Sequence, residues 1–162
     1  TNDIELGKRA KHLTTTAKVP HRWNFVHDEV GYNYRLPNLN AALGCAQLEQ
    51  LPGFLREKRR LFAQYQAAFS DVHGVRLVAE PANCNSNFWL QTLLLDESRA
   101  SQRDAVLTAT NDAGLMTRPV WTLMNSLPMY ANAPSAHLPV AESLERRVIN
   151  IPSSSGLGSL AQ

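Results

Sequence analysis

From Leu39 to Phe69, apolar residues recur at spacings of three and four, a helical period sustained far longer than any other pattern in the chain. Leu39, Leu43, Ala46, Leu51, Phe54, Leu61, Tyr65 and Phe69 carry it. Pro37 fits the first turn, where a missing N–H costs nothing. Pro52-Gly53 interrupts the pattern, so Pro52 either begins a second helix or kinks a continuous one. The basic run Arg56–Arg60 (REKRR) lies within this region and reads as a solvated helix face. The formal net charge of +2 is too small to imply nucleic-acid or membrane affinity.

The remaining chain is punctuated around this helix. An N-terminal helix is expected from Asp3 to about Thr14, with Asn2 or Asp3 as its N-cap. The stretch TTTAKVPHRWNFVHDEV has no sustained period and contains Pro20, so it reads as an irregular excursion. Beyond Asp71 the period changes. Val75–Val78 and Asn87–Leu95 read as strands, the second apolar enough to be covered on both faces. Ser101 to Ala113 reads as a helix capped by Ser101 and ended by Gly114, with Val106, Ala109 or Thr110, and Ala113 buried. A short strand in LMTRPV, a short helix in VAESLERR and a closing strand in VINIP complete a β-β-α-β-α-β unit from residue 75 onward. The tail SSSGLGS reads as a frayed end.

At 162 residues the chain has room for one ordinary domain or parts of two smaller ones. An apolar fraction of 44% and a charged fraction of 19% match a soluble globular protein, and no apolar run is long enough for a membrane span. Cys45 and Cys84 form neither a ligand spacing nor a disulfide framework, as expected of a reducing cytosol. The opening TNDIELGKRAKHL has neither an initiator Met nor a signal peptide and reads as the inside of a longer protein. In that case the apolar surface of the first helix and of Leu39–Leu51 should be exposed, or covered by another chain.

Candidate chemistry is sparse. The five histidines never pair on one helical face, and adjacent His27-Asp28-Glu29 cannot easily converge on a metal ion. There is no GxSxG motif and no glycine-rich phosphate loop. Lys8, Lys11, Lys18 and Lys58 all sit in polar sequence contexts without an evident desolvating pocket, so none reads as a nucleophile. Two groups can bind a ligand. Asn33 and Arg35 stand two apart in a turn before a helix N-terminus, where an amide, a planar guanidinium and free N–H groups all favour an anion. The alternative is that Asn33 caps a turn while Arg35 pairs with a carboxylate such as Glu29. Arg118, Trp121, Asn125 and Tyr130 follow a strand end and offer a cation, an aromatic wall and an amide. Their alternative is a core Trp beside a surface Arg.

The segment HDEVGYNYRLPNLNAALGCAQLEQL resembles the DegT/DnrJ/StrS family of pyridoxal-phosphate-dependent sugar aminotransferases, whose pattern is G-x-N-x-R followed by a small-residue helix ending in Gln-Leu. GLMTRPVWTLMNSLPMY and INIPSS resemble later signatures of that family, most of all the branch acting on UDP-linked 4-keto-6-deoxy-N-acetylglucosamine in bacillosamine or legionaminic acid pathways. The resemblance implies an α/β, aspartate-aminotransferase-type (fold type I) architecture. Residues 1–50 would be the end of the large cofactor domain and the start of the connecting helix, and 51–162 the rest of that helix with the small C-terminal domain. It further implies a cytoplasmic homodimer with a shared active site, using glutamate and a nucleotide sugar, with no nucleic-acid partner. Asn33 would reach the cofactor phosphate of the neighbouring subunit, Arg35 would hold that loop or touch the ligand, and Arg118, Trp121, Asn125 and Tyr130 would contact the nucleotide sugar. Small residues Ala41, Ala42, Gly44 and Ala46 would permit close helix approach.

The likeness has gaps. The family's Schiff-base lysine lies upstream of the region matching Thr1, so the chain by itself is expected to be inactive. Asn125 stands where many relatives carry His. Two other readings remain at this level: part of a sugar dehydratase of the same fold, in which His replaces the lysine, and a non-catalytic domain that self-associates through its small-residue helix.

Overall fold

A computed structural model of the chain describes residues 1–159, which divide into two compact units, one over Thr1–Glu49 and the other from Gln50 onward. Among the described residues no helix is long and apolar enough to cross a membrane.

The first unit opens with helix α1 (Ile4–Thr14), capped as expected by Asp3, whose Oδ1 accepts the Leu6 N–H at 3.0 Å. The excursion that follows is more ordered than its sequence suggests. Strands β1 (Lys18–Val19) and β2 (Val26–His27) form a small antiparallel hairpin. Two residues per strand are too few to show a period of two. Helix α2 (Asn38–Phe69) begins one residue beyond Pro37, whose carbonyl accepts the Ala41 N–H at 2.9 Å. It runs unbroken through Pro52 for 32 residues. Its first part, up to Glu49, belongs to the first unit and leaves Leu39, Leu43 and Leu48 at 81%, 62% and 67% exposure. The apolar exposure expected of α1 and Leu39–Leu51 is thus present, Ile4 and Leu6 included. A Cβ built on Gly44 would meet nothing within 4 Å.

The second unit is a two-layer arrangement. Strands β3 (Val75–Leu77), β4 (Gln91–Leu95), β5 (Arg118–Pro119) and β6 (Val148–Ile151) form one sheet in the order β3-β4-β6-β5, every neighbouring pair antiparallel. Registers Leu77↔Leu93, Val75↔Leu95 and Leu93↔Ile149 place the apolar residues on one face. There Leu93, Leu95, Ile149 and Ile151 make the core. Tyr65 and Phe69 of α2 and Val106 and Leu107 of helix α3 (Arg103–Asp112) pack on it. Burial of each such Leu or Ile is worth about 1.5–3 kcal/mol. As expected for a strand covered on both sides, β4 is buried almost throughout, and buried Gln91 is satisfied by donating to the Lys58 carbonyl at 3.2 Å. Helix α4 (Pro139–Glu145) leads into β6.

Four local expectations need correction. The strand does not begin at Asn87. Asn87 and Ser86 accept the backbone N–H groups of Trp89 and Phe88 at 3.0 Å, and Phe88 adopts a φ of +46°, so this segment is bent. Ser101 is no cap, because a 3-10 helix over Glu97–Gln102 runs directly into α3. The half-buried residues of α3 include Val106, Leu107 and Thr110, whereas Ala109 and Ala113 are exposed. Nor is SSSGLGS frayed: Ser155–Ser159 is a 3-10 helix with Gly158 buried, and a Cβ there would fall 2.5 Å from the Glu57 carbonyl oxygen.

Candidate functional site

The Asn33–Arg35 turn is held by backbone, not by a core. Tyr32 N–H donates to Leu13 O (2.7 Å), Thr16 N–H to Tyr32 O (3.0 Å) and Tyr34 N–H to Thr14 O (3.0 Å), with Thr15 and Asn33 paired as an antiparallel bridge. The segment 31–34 is therefore laced to the C-terminal end of α1. Gly31 is what lets it pass: a Cβ would lie 2.5 Å from the Ala17 nitrogen and 2.5 Å from the Thr16 carbonyl carbon. Thr16 and Ala17 themselves take positive φ values of 70° and 50°, costly for residues with a Cβ and sustained by these bonds. In the extended segment, Tyr32 and Tyr34 stack at 5.6 Å, while Asn33 and Arg35 occupy the alternate positions. Asn33 Oδ1 accepts the Arg35 N–H at 3.4 Å. Among the described residues, Asn33 Nδ2 and the Arg35 guanidinium have no partner, and both side chains are exposed.

The carboxylate expected as Arg35's alternative partner is taken elsewhere. Both oxygens of Glu29 accept from Arg9, in a bidentate pair that raises the Arg9 pKa. His12 Nε2 lies 2.7 Å from Asp28 Oδ1 and 3.6 Å from Glu29 Oε1, and its hydrogen bond holds the Asp28 carboxyl below the usual range. His12, Asp28 and Glu29 lie close enough together for a metal ion, which the adjacent triplet His27-Asp28-Glu29 did not suggest. Arg9 already neutralises one carboxylate, so the group works as an ion network tying α1 to the hairpin. His27 instead donates from Nδ1 to Thr16 O at 2.6 Å.

The other four sequence candidates lie in the second unit and separate into two pairs. Arg118 and Trp121 line a cavity of about 1020 Å³, whereas Asn125 and Tyr130 line another of about 350 Å³. Arg118 Nη1 donates to Asn111 Oδ1 and Thr117 O, both at 3.0 Å. Asn125 Oδ1 is buried without a hydrogen-bond partner among the described residues, beside the smaller cavity.

The larger cavity contains residues that the sequence reading passed over. Lys58 is not in a solvated run. It is half-buried and donates to Phe88 O (3.0 Å), Trp89 O (3.0 Å) and Ser153 O (2.7 Å), and desolvation lowers its pKa. Neighbouring Arg59 grips Glu80, Asn85 and Ser86 O and lies 5.2 Å from the Phe88 ring. REKRR is therefore in large part a clamp on the segment 80–89. Its signal was available: Lys58 falls in register with Phe54, Leu61 and Tyr65 on the apolar stripe of α2. Trp89, stacked on Trp121 at 6.1 Å and 25°, was missed because it had been placed inside a strand.

Solved structures share this fold. PseC of Helicobacter pylori, an aminotransferase involved in pseudoaminic acid biosynthesis, superposes with a TM-score of 0.83 at 20% identity, over 97% of this chain and 43% of its own. The aminotransferase TlmJ of Streptoalloteichus hindustanus gives 0.80 at 26% identity, over 96% and 41%. The fold is thus the expected α/β, fold type I architecture in part. GDP-perosamine synthase of Escherichia coli O157:H7 is 34% identical over 153 residues, 94% of this chain and 40% of its own length. EpsN of Bacillus subtilis, named as a pyridoxal phosphate-dependent aminotransferase, is 33% identical over 162 residues, 96% of this chain and 40% of its own. The chain spans about two fifths of the length of these relatives. Residues 1–162 match the family model throughout, and the chain belongs to the DegT/DnrJ/EryC1/StrS aminotransferase family.

Proposed function

We propose that this chain is the C-terminal part of a pyridoxal-phosphate-dependent enzyme that moves the amino group of glutamate onto the ketone of a 4-keto-6-deoxy nucleotide sugar, releasing 2-oxoglutarate and the 4-amino sugar. Residues 1–50 end its large domain and begin the connecting helix, and 51–162 complete the small domain. The observation that carries this reading is the rigidly laced, exposed turn on which Asn33 Nδ2 and the Arg35 guanidinium stay uncommitted. An amide donor and a planar cation fit a phosphate, and they are held where a neighbouring subunit can present one. The cofactor, when bound, supplies the electron sink for the exchange of amine and ketone. Asn33 would donate to the cofactor phosphate of the neighbouring subunit, Arg35 would add positive charge beside it, and the Arg118–Trp121 cavity would receive the nucleotide sugar.

The proton-transferring lysine is supplied by sequence outside this chain. Lys58 and Lys18 are both half-buried; Lys58 spends its N–H groups on three carbonyls, while Lys18 lies over the Phe25 ring at 3.9 Å. In the cytoplasmic homodimer that this reading implies, the bare leucine face of α2 before Glu49 packs against other parts of the assembly.

The motif likeness favours a UDP-linked N-acetylglucosamine derivative. A GDP-linked sugar is the second reading, favoured by GDP-perosamine synthases of Escherichia coli, Vibrio cholerae and Caulobacter vibrioides at 34%, 33% and 30% identity. Full-length protein, loaded with pyridoxal phosphate, should release 2-oxoglutarate from glutamate over many turnovers, one per 4-amino sugar formed, when given a UDP- or GDP-linked 4-keto-6-deoxy sugar. No release with any nucleotide sugar would remove the assignment.

A further inference from the structure

We infer that His12 is a positioning residue for the Asn33 amide, because its ring holds Asp28 and, through it, the backbone that carries the turn; this rests on the reading above of Asn33 as a ligand of the cofactor phosphate. The contacts that make the case all lie within Thr1–Glu49. The segment from Asp28 to Tyr34 is tied to the C-terminal half of α1 at both ends. At its exit the anchors are backbone bonds, from the Tyr32 N–H to Leu13 O and from the Tyr34 N–H to Thr14 O. At its entry they are side chains of α1. His12 Nε2 donates to Asp28 Oδ1 at 2.7 Å, since a carboxylate can only accept, and Arg9 takes both oxygens of Glu29.

Of the two entry anchors, His12 is the one that closes a circuit. Its ring holds the Asp28 carboxylate, the Asp28 N–H donates to Ala17 O at 3.3 Å, and the Ala17 N–H donates back to His12 O at 2.9 Å. The bond from Asp28 to Ala17 is the longest of the three, so the ring grips the residue whose own backbone bond is weakest. Ala17 is the floor of the turn. It is fully buried, and Gly31 passes so close that a Cβ there would lie 2.5 Å from the Ala17 nitrogen. Thr16 and Ala17 keep φ values of 70° and 50° because the bonds around them outweigh the cost. His27 braces the first of these residues by donating to Thr16 O at 2.6 Å, and Asp28 braces the second. Releasing Asp28 therefore loosens Ala17, the surface on which Gly31 rests, and the Asn33 amide two residues beyond loses its fixed place. An ion pair near the surface adds little to global stability, so the effect falls on where the turn sits and not on whether the chain folds. A ligand-binding group must be held to within about 0.5 Å, so a small displacement registers as lost affinity.

The test uses full-length protein loaded with pyridoxal phosphate and compares wild type with His12→Leu, His12→Gln, Asn33→Ala and the His12→Leu, Asn33→Ala double variant. Cofactor retention is measured by dialysis, and the surroundings of its phosphate by phosphorus NMR of the bound cofactor. His12→Leu should weaken retention by about fivefold or more and move the phosphorus resonance. His12→Gln, whose Nε2 can still donate to Asp28, should restore most of both. In the Asn33→Ala background His12→Leu should cost nothing further, because the ring acts through that amide. Equal losses in the two backgrounds overturn the inference, and so does a His12→Gln variant that restores neither property. Wild-type retention and resonance in His12→Leu, when Asn33→Ala sheds its cofactor, also overturn it and leave the phosphate reading of Asn33 intact. Full retention by Asn33→Ala removes that reading and this inference with it. If His12→Leu does not fold, Asp28→Ala removes the same bond from its other end, alone and in the Asn33→Ala background, and the same outcomes decide.

Discussion

The two units bear different kinds of function because they are stabilised in different ways. In residues 50–159 the side chains of Leu93, Leu95, Ile149 and Ile151 are buried under two helices, and the cavity with Trp89 and Arg118 sits on elements fixed by that core. In residues 1–49 the buried residue is Ala17, and what orders the segment is hydrogen bonding: the lacing of 31–34 to the end of α1 and the Arg9–Glu29, His12–Asp28 network. One unit holds its site with its own apolar burial. The other fixes the backbone around Asn33 but leaves Leu39, Leu43 and Leu48 exposed.

Dissection is the strongest way to break this contrast. A polypeptide of residues 50–162 should unfold cooperatively in urea, whereas residues 1–49 alone should show no cooperative transition by circular dichroism. A sigmoidal melt for the shorter piece would show that hydrogen bonding and ion pairing suffice there. Within the whole chain, Ile149→Ala should cost about 2–5 kcal/mol of unfolding free energy. Leu39→Ala, at a site open to solvent, should stay within about 0.5 kcal/mol. Equal losses at the two positions would contradict the assignment of the core to residues 50–159.

The same contrast explains what could be read from the sequence. The cap at Asp3, the period from Leu39 to Phe69 and the doubly covered Gln91–Leu95 were legible because each is written in local pattern. The G-x-N-x-R turn was legible as chemistry and as a family mark, though the need for Gly31, its approach to Ala17, is visible only in three dimensions. Lys58 and Arg59 were misread because a basic run looks solvated until the segment 80–89 folds back onto it. Asn87–Leu90 was misread because its apolar content matches the following strand, while the decisive features are side-chain bonds from Ser86 and Asn87. Distant contacts account for the first error and local side-chain bonds for the second.

Gly31 and Asn33 sharpen the comparison at the turn itself. Gly31→Ala forces a Cβ against the Thr16–Ala17 backbone and should cost about 1–3 kcal/mol locally, read as lost hydrogen-exchange protection at Thr16, Tyr32 and Tyr34. In the full-length enzyme that variant should also release pyridoxal phosphate readily. Asn33→Ala should release the cofactor as well, yet leave protection at Thr16, Tyr32 and Tyr34 unchanged, because the lacing there uses backbone groups alone. Full cofactor retention by Asn33→Ala, measured after gel filtration, would remove its phosphate role.

The smallest effect is expected from acid, and it separates the units once more. Hydrogen bonding from Arg59, then from the Ser86 N–H, holds the Glu80 carboxyl below its ordinary range, as the His12 bond does for Asp28. A depressed folded pKa means that the unfolded chain takes up protons first. The contribution is therefore complete above the ordinary carboxylate pKa of about 4 and is lost as pH falls through the lower folded value. Glu80 belongs to the unit that unfolds cooperatively, so Glu80→Gln should flatten the acid limb of a Tm-against-pH curve. Asp28 belongs to the unit without a core of its own. Asp28→Asn should leave that limb unchanged while reducing hydrogen-exchange protection of the Asp28 N–H, which donates to Ala17 O at 3.3 Å. An acid limb flattened equally by both variants would mean that the two units melt as one, and that residues 1–49 are stabilised through the second unit's core.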